Sequence, residues 1–143
     1  MDIIFDIDGT LADISHRRHY VETKPTDWVA FQALAHMDSV VEPIAAIIRS
    51  LPSKNVIILC TGRGEQERSI TDAWLDQHHI KYNALYMRAA GDHRHDDVVK
   101  EELLAQMRAD GFNPQLAFED RSRVVAMWRR NGIMCAQVAE GGF

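Results

Sequence analysis

Five short apolar runs recur along the chain: Ile3–Ile7, Val56–Cys60, Tyr82–Met87, Leu116–Glu119 and Ile133–Val138. They lack the strict polar alternation of a half-solvated strand. Strands of this kind are covered on both faces, which points to a parallel sheet flanked by helices. Helical patterns fall between the runs. Pro43–Leu51 places Ile44, Ile47, Ile48 and Leu51 at three- and four-residue spacing and stops before Pro52. Glu65–His79 carries Ile70, Ala73 and Trp74 on one side. Asp97–Asp110 has acids in its first turn and Gly111 just past its end, and Ser122–Asn131 starts on a capping residue and ends at Gly132. This order predicts an α/β fold: a three-layer, Rossmann-like sandwich around a parallel five-stranded sheet.

One stretch breaks the rhythm. Residues 13–39 hold the basic cluster His16-Arg17-Arg18-His19, then Asp27-Trp28 and Phe31. An insertion after the first strand of such a sheet lies near the carboxyl ends of the strands, where ligands bind. It is expected to form a small helical cap or substrate loop in a single domain spanning 1–143. Tyr20, Trp28 and Phe31 fit two readings, stacking on a base or packing as the core of the cap, and Phe31 suits the second.

Charge and composition narrow the function classes. The chain has 16 basic and 21 acidic residues and a net charge of -5. A surface that coats nucleic acid is basic, so broad binding is disfavoured, while a small basic pocket for one phosphate is not. No apolar run approaches the roughly 20 residues of a membrane span. The start, Met1-Asp2-Ile3-Ile4, has an acid where a signal peptide has bases. A cytoplasmic protein with no membrane partner is expected. Cys60 and Cys135 lie in apolar stretches and read as buried reduced thiols.

Four polar motifs follow the strand candidates. Asp6-Ile7-Asp8-Gly9-Thr10 ends the first. In an extended strand, residues i and i+2 share a face, so Asp6 and Asp8 would stand side by side. Two crowded carboxylates raise each other's pKa, and a hard cation such as Mg²⁺ relieves the repulsion. Gly9 would let backbone N–H groups approach an anion. Thr61-Gly62-Arg63-Gly64 ends the second run with a hydroxyl, flexible backbone and a cation, and a helix starting at Glu65 would complete an anion site. Lys100 would fall in the first turn of its helix, where the helix dipole disfavours a cation unless it faces acids. Glu119-Asp120 ends the fourth run. Parallel strands bring all four motifs to one sheet edge.

Taken together, Asp6-x-Asp8-Gly9-Thr10, Thr61, Lys100 and Glu119-Asp120 resemble the motifs of the haloacid dehalogenase-like (HAD) superfamily of aspartate-nucleophile phosphohydrolases. Further stretches resemble the 3′-phosphatase domain of phage polynucleotide kinase–phosphatases. These are Thr61-Gly62-Arg63, Met87-Arg88, Gly91-Asp92-His93-Arg94 through Glu102, Val124 through Arg130, and Gln137 through Phe143. The resemblance implies Asp6 as nucleophile, Asp8 as general acid and then base, Thr61 on the transferring phosphoryl group, and Lys100 neutralising Asp6 and phosphate oxygens. It implies Mg²⁺ held by the Asp6 side chain, the Asp8 carbonyl and the pair Glu119-Asp120, chiefly Asp120. It adds Arg17, Arg63 and Asp96, with Asp96 holding Lys100 or an arginine, and these are expected to bind substrate together with Gly9, Thr10 and Gly62 of the two glycine-bearing motifs. Arg17 also fits an exposed helix face.

Where relatives carry two aspartates in the last motif, this chain has Glu119, one methylene longer, and its contact with the metal stays open. The implied substrate is a 3′-phosphate on a polynucleotide end. A mononucleotide phosphatase and a non-catalytic phosphate-binding domain are the alternatives. No P-loop spacing occurs, so a kinase activity, if required, would come from a separate chain.

Overall fold

The computed structural model describes residues 1–143. The five apolar runs form β1 (Asp2–Phe5), β4 (Val56–Gly64), β5 (Ala84–Arg88), β6 (Pro114–Glu119) and β7 (Met134–Gln137). They pair in the order β5-β4-β1-β6-β7, and every pairing is parallel. The helices between them are α3 (Glu42–Ser50), α4 (Arg68–Gln77), α5 (Asp96–Ala109) and α6 (Ser122–Arg130). No helix is long and apolar enough to cross a membrane.

The sheet separates two apolar layers, and the period-two geometry of a strand decides which side chain enters which. Ile3, Phe5 and Leu59 join Ala45 and Ile48 of α3 and Trp74 and Leu75 of α4. Ile4, Ile58 and Cys60 join Leu104 and Met107 of α5 and Val124, Met127 and Trp128 of α6. Adjacent residues therefore enter opposite cores, which is why the strands read as unbroken apolar runs. Both cysteines are buried and unpaired.

Two boundaries differ from the sequence reading in ways that affect the site. β1 stops at Phe5, so Asp6 and Asp8 lie beyond the strand rather than as extended neighbours within it. The chain turns at once there: the Thr10, Leu11 and Ala12 amides all donate to the Ile7 carbonyl. The helix expected from Glu65 opens instead with a 3₁₀ turn, Glu65–Glu67, before α4.

The segment after β1 contains α1 (His19–Glu22), α2 (Trp28–Ala33) and a 3₁₀ turn at Ala35–Met37. The short antiparallel pair β2 (Ala12–Asp13) and β3 (Ser39–Val40) closes its base. Asp27 caps α2 by accepting from the Ala30 amide at 3.0 Å. Phe31 is buried as core, whereas Trp28 stays 55% exposed.

Candidate active site

The carboxyl ends of β1, β4 and β6 meet the second turn of α5. Lys100 is the fifth residue of α5, not a first-turn residue, because the helix begins one position earlier than expected. It is 1% exposed, and its ammonium donates to Asp6 at 2.6 Å and Glu119 at 2.9 Å. Burial alone would lower its pKa, but the two carboxylates hold it well above the ordinary lysine value. It remains a cation.

Asp6, Glu119 and Asp120 bring one carboxylate oxygen each to within 4.8 Å of one another. Asp6 is pushed up to about 7, chiefly by burial and by the Glu119 charge, against the pull of Lys100. Asp120 is pushed up to about 6, chiefly by burial and the Asp6 charge, and Glu119 is raised mainly by burial. Three buried acids sharing one ammonium form a hard-oxygen donor set short of positive charge. That set fits Mg²⁺. The Asp8 side chain is outside this group, so of the four expected metal residues it is the one whose carboxylate is engaged elsewhere.

Asp8 sits among arginines. Arg63 donates to it through Nη2 at 2.6 Å and through Nε at 3.1 and 3.2 Å, and Arg17 adds Nη2 at 3.0 Å. Burial would raise the Asp8 pKa, but Arg63 and then Arg17 hold it below the usual carboxylate range. Arg17 is 1% exposed, which excludes the exposed-face reading. Its guanidinium lies 4.1 Å from the Phe31 ring centre, so Phe31 of α2 packs directly on a site residue.

Sequence reasoning missed Asp38. Its side chain is wholly buried and accepts from Arg17 at 2.8 and 2.7 Å, Arg63 at 3.2 Å and His16 at 2.7 Å. Its own carbonyl accepts from Trp74 Nε1 at 2.8 Å. The signal is electrostatic and shows only once the fold buries both arginines: two guanidiniums brought together need acids between them. The Arg63 Nη1–Thr71 hydroxyl contact, at 3.2 Å, had no sequence signal.

The remaining expected residues divide. Thr61 is fully buried, and its hydroxyl accepts from the Arg63 amide at 3.1 Å. The Thr10 hydroxyl is buried with no hydrogen-bond partner. Gly9 serves differently than expected: its amide donates to Ala12 at 2.9 Å and is not turned to an anion. Its φ of +86° and its position matter instead, because a Cβ there would lie 2.2 Å from Asp120 Oδ2. At Gly62 a Cβ would lie 2.5 Å from Asp96 Oδ1. Asp96 does not bond Lys100. It pairs with Arg88 and with Arg121, the latter at 3.0 Å. Glu119 both joins the acid cluster and holds Lys100, while its other oxygen accepts from the Asp120 and Arg121 amides. The extra methylene is compatible with both contacts.

A parallel α/β sheet with an acid pair after its first strand, a buried lysine and a second acid pair after a later strand defines the HAD class of hydrolases. The same architecture occurs in a HAD-superfamily hydrolase, subfamily IA, from Geobacter sulfurreducens, with a TM-score of 0.64 at 13% identity over 95% of this chain and 88% of that one. Within that class, this chain belongs to the family described as the polynucleotide kinase PNKP phosphatase domain, which it matches over residues 1–143. A structure of a Pnkp1/Rnl/Hen1 complex contains a chain 30% identical to it, with a TM-score of 0.86 over 99% of this chain. A structure of the Pnkp1/Rnl/Hen1 RNA repair complex gives 30% and 0.84. This chain spans 47% and 43% of those two chains.

Proposed function

We propose that this phosphatase-family protein is a Mg²⁺-dependent phosphomonoesterase that removes a 3′-phosphate from polynucleotide ends through an aspartyl-phosphate intermediate. The observation that carries the reading is the Lys100 ammonium bridging Asp6 and Glu119 beside an Asp8 clamped by Arg63 and Arg17. Nucleophile, acid–base group and phosphate-binding cations thus share one sheet edge. Family membership and the 30% identical Pnkp1 chains favour a polynucleotide substrate over other phosphomonoesters.

Asp6, Glu119 and Asp120, with the Asp8 carbonyl, would hold Mg²⁺. That ion would supply positive charge to the crowded carboxylates and to the phosphoryl oxygens. Lys100 pulls Asp6 toward its ionised form against burial and the Glu119 charge, and a bound Mg²⁺ would complete the ionisation. An Asp6 oxygen attacks phosphorus, and the bond from phosphorus to the ester oxygen breaks. Asp8 donates its proton to that leaving oxygen. Asp8 then accepts a proton from water as the water oxygen attacks phosphorus, which releases Asp6 and inorganic phosphate.

Asp8 cannot donate while its arginines hold it ionised. An incoming phosphate draws the Arg63 and Arg17 guanidiniums onto its own oxygens, loosening their hold so that Asp8 takes up a proton as substrate binds. The resting ion pairs thereby couple binding to acid catalysis. Residues 13–39, which supply Arg17 and Asp38, act as the substrate-facing cap.

The test is phosphate release with Mg²⁺ from a 3′-phosphorylated oligonucleotide, a 5′-phosphorylated oligonucleotide and the 3′- and 5′-mononucleotides, with Asp6→Asn as control. The expected result is preference for the 3′-phosphorylated oligonucleotide and loss of activity in Asp6→Asn. Preference for mononucleotides replaces this reading with a nucleotidase. Full activity of Asp6→Asn overturns the mechanism.

A further inference from the structure

The segment following β7 is tied to the second acid pair. The Val138 amide donates to the Glu119 carbonyl at 3.0 Å, Gln137 Nε2 to the Asp120 carbonyl at 2.9 Å, and the Ser122 amide to the Gly141 carbonyl at 2.8 Å. Gly141 lies so close that a Cβ would come 1.9 Å from the Asp120 carbonyl oxygen. Residues 137–141 therefore run along the backbone of the metal-binding acids and deliver Phe143 to the edge of the site.

Phe143 meets two cations there. The Arg18 guanidinium carbon lies 4.4 Å from its ring centre, and that of Arg121 lies 4.8 Å away. Arg18 follows the buried Arg17 in the cap, and Arg121 follows Asp120 and bonds Asp96. One aromatic ring thus joins the cap to the opposite lip of the site. Arg18 Nε is bonded to Glu22 and Arg121 Nη1 to Asp96. Their remaining N–H groups make no hydrogen bond within the chain, and both side chains are about one-third exposed, 37% and 34%. Each guanidinium therefore keeps N–H groups free to donate to a phosphate oxygen beside the ring.

We propose that Arg18 and Arg121, spaced by Phe143, form a second phosphate subsite that takes the phosphodiester next to the scissile 3′-phosphate. This rests on the polynucleotide reading above and deepens it: a mononucleotide has no phosphate to place there, so the pair selects strands. Phe143 is the positioning residue and the arginines are the contacts.

The experiment measures kcat and KM for wild type, Arg18→Ala, Phe143→Ala and Phe143→Tyr. Substrates are p-nitrophenyl phosphate, a 3′-mononucleotide and a 3′-phosphorylated oligonucleotide, across a salt series. Arg18→Ala is expected to raise the oligonucleotide KM about tenfold relative to its KM for p-nitrophenyl phosphate, the loss of one charge-assisted phosphate contact. The slope of oligonucleotide binding against salt should fall by about one. Phe143→Ala should raise the same ratio, and Phe143→Tyr should restore it. An equal change on all three substrates shows a merely structural role and overturns the proposal. So does an unchanged oligonucleotide KM in both alanine variants, which leaves the 3′-phosphatase reading standing. Wild-type turnover of p-nitrophenyl phosphate alone, with no nucleotide cleaved, overturns both.

Discussion

Asp120→Asn should stabilise the metal-free protein while abolishing its response to Mg²⁺. Asp120 is 6% exposed and shares the acid cluster with Asp6 and Glu119. Burial and the Asp6 charge lift its carboxyl from 3.8 to about 6. A carboxyl raised on folding binds its proton more tightly in the folded chain than in the unfolded one. Stability is therefore lost as pH rises from the unfolded value through the folded one, and at about pH 8 the whole cost is present. A shift from 3.8 to about 6 corresponds to about 3 kcal/mol, and the share relieved by a neutral amide of the same size is on the order of 1–3 kcal/mol. For a chain of this length that is roughly 5 °C in melting temperature. The assay is thermal unfolding followed by circular dichroism, with EDTA or with Mg²⁺, at about pH 8 and again at about pH 4.5. In EDTA the variant should melt higher than wild type at the upper pH, and the gap should narrow at the lower pH. Mg²⁺ should raise the melting temperature of wild type and leave the variant nearly unmoved. A variant that melts at or below wild type in EDTA at the upper pH refutes the reasoning, because the acids would then not be in unfavourable contact.

The same cluster sets a pH dependence for metal binding: Mg²⁺ must displace protons from Asp6 and Asp120, at about 7 and about 6, so its affinity measured by calorimetry should weaken as pH falls through that range, with proton release on binding. Lys100→Met removes the ammonium that Asp6 and Glu119 share, so phosphatase activity should fall at least 100-fold, on the order of a lost charge-stabilising group, and the acid limb of the residual pH–rate profile should move to higher pH. Asp38→Asn removes the more deeply buried of the two acids that Arg17 and Arg63 share, and should cost about 3 kcal/mol in denaturant unfolding together with a rise in KM. Gly9→Ala forces a Cβ against the Asp120 carboxylate at a positive φ, and should cost about 1–3 kcal/mol in denaturant unfolding and weaken Mg²⁺ binding measured by calorimetry.

What the sequence made legible follows from what each signal depends on. The strands could be read because every residue of Ile3–Phe5 or Ile58–Cys60 enters one core or the other, so burial leaves an unbroken apolar run. Asp6 and Asp120 could be read because each is a charged residue just past an apolar run, where burial is costly without a partner, and Lys100 because a cation near a helix start is disfavoured unless it faces acids. The partnerships were another matter. Nothing local shows that Asp38, between Met37 and Ser39, is buried and gathers two arginines and a histidine, because its environment is assembled by Trp74 from α4 and Arg63 from β4. Asp96 was expected to hold Lys100 or an arginine, and the choice could not be read locally, because the arginines it pairs with come from β5 and from the turn after β6. Gly9 shows the same limit from the other side: a glycine beside acids suggested an amide turned to an anion, whereas its missing side chain is what admits Asp120 from a different strand. Identity and rough position of a charged group are local properties, while the neighbour that fixes its ionisation arrives through the tertiary fold. The ionisation of Asp8 is therefore set by long-range contacts: it is held ionised by residues 9 and 55 positions away. A change in residues 13–39 that moved Arg17 would alter the ionisation of Asp8 without touching any residue of the Asp6–Gly9 motif.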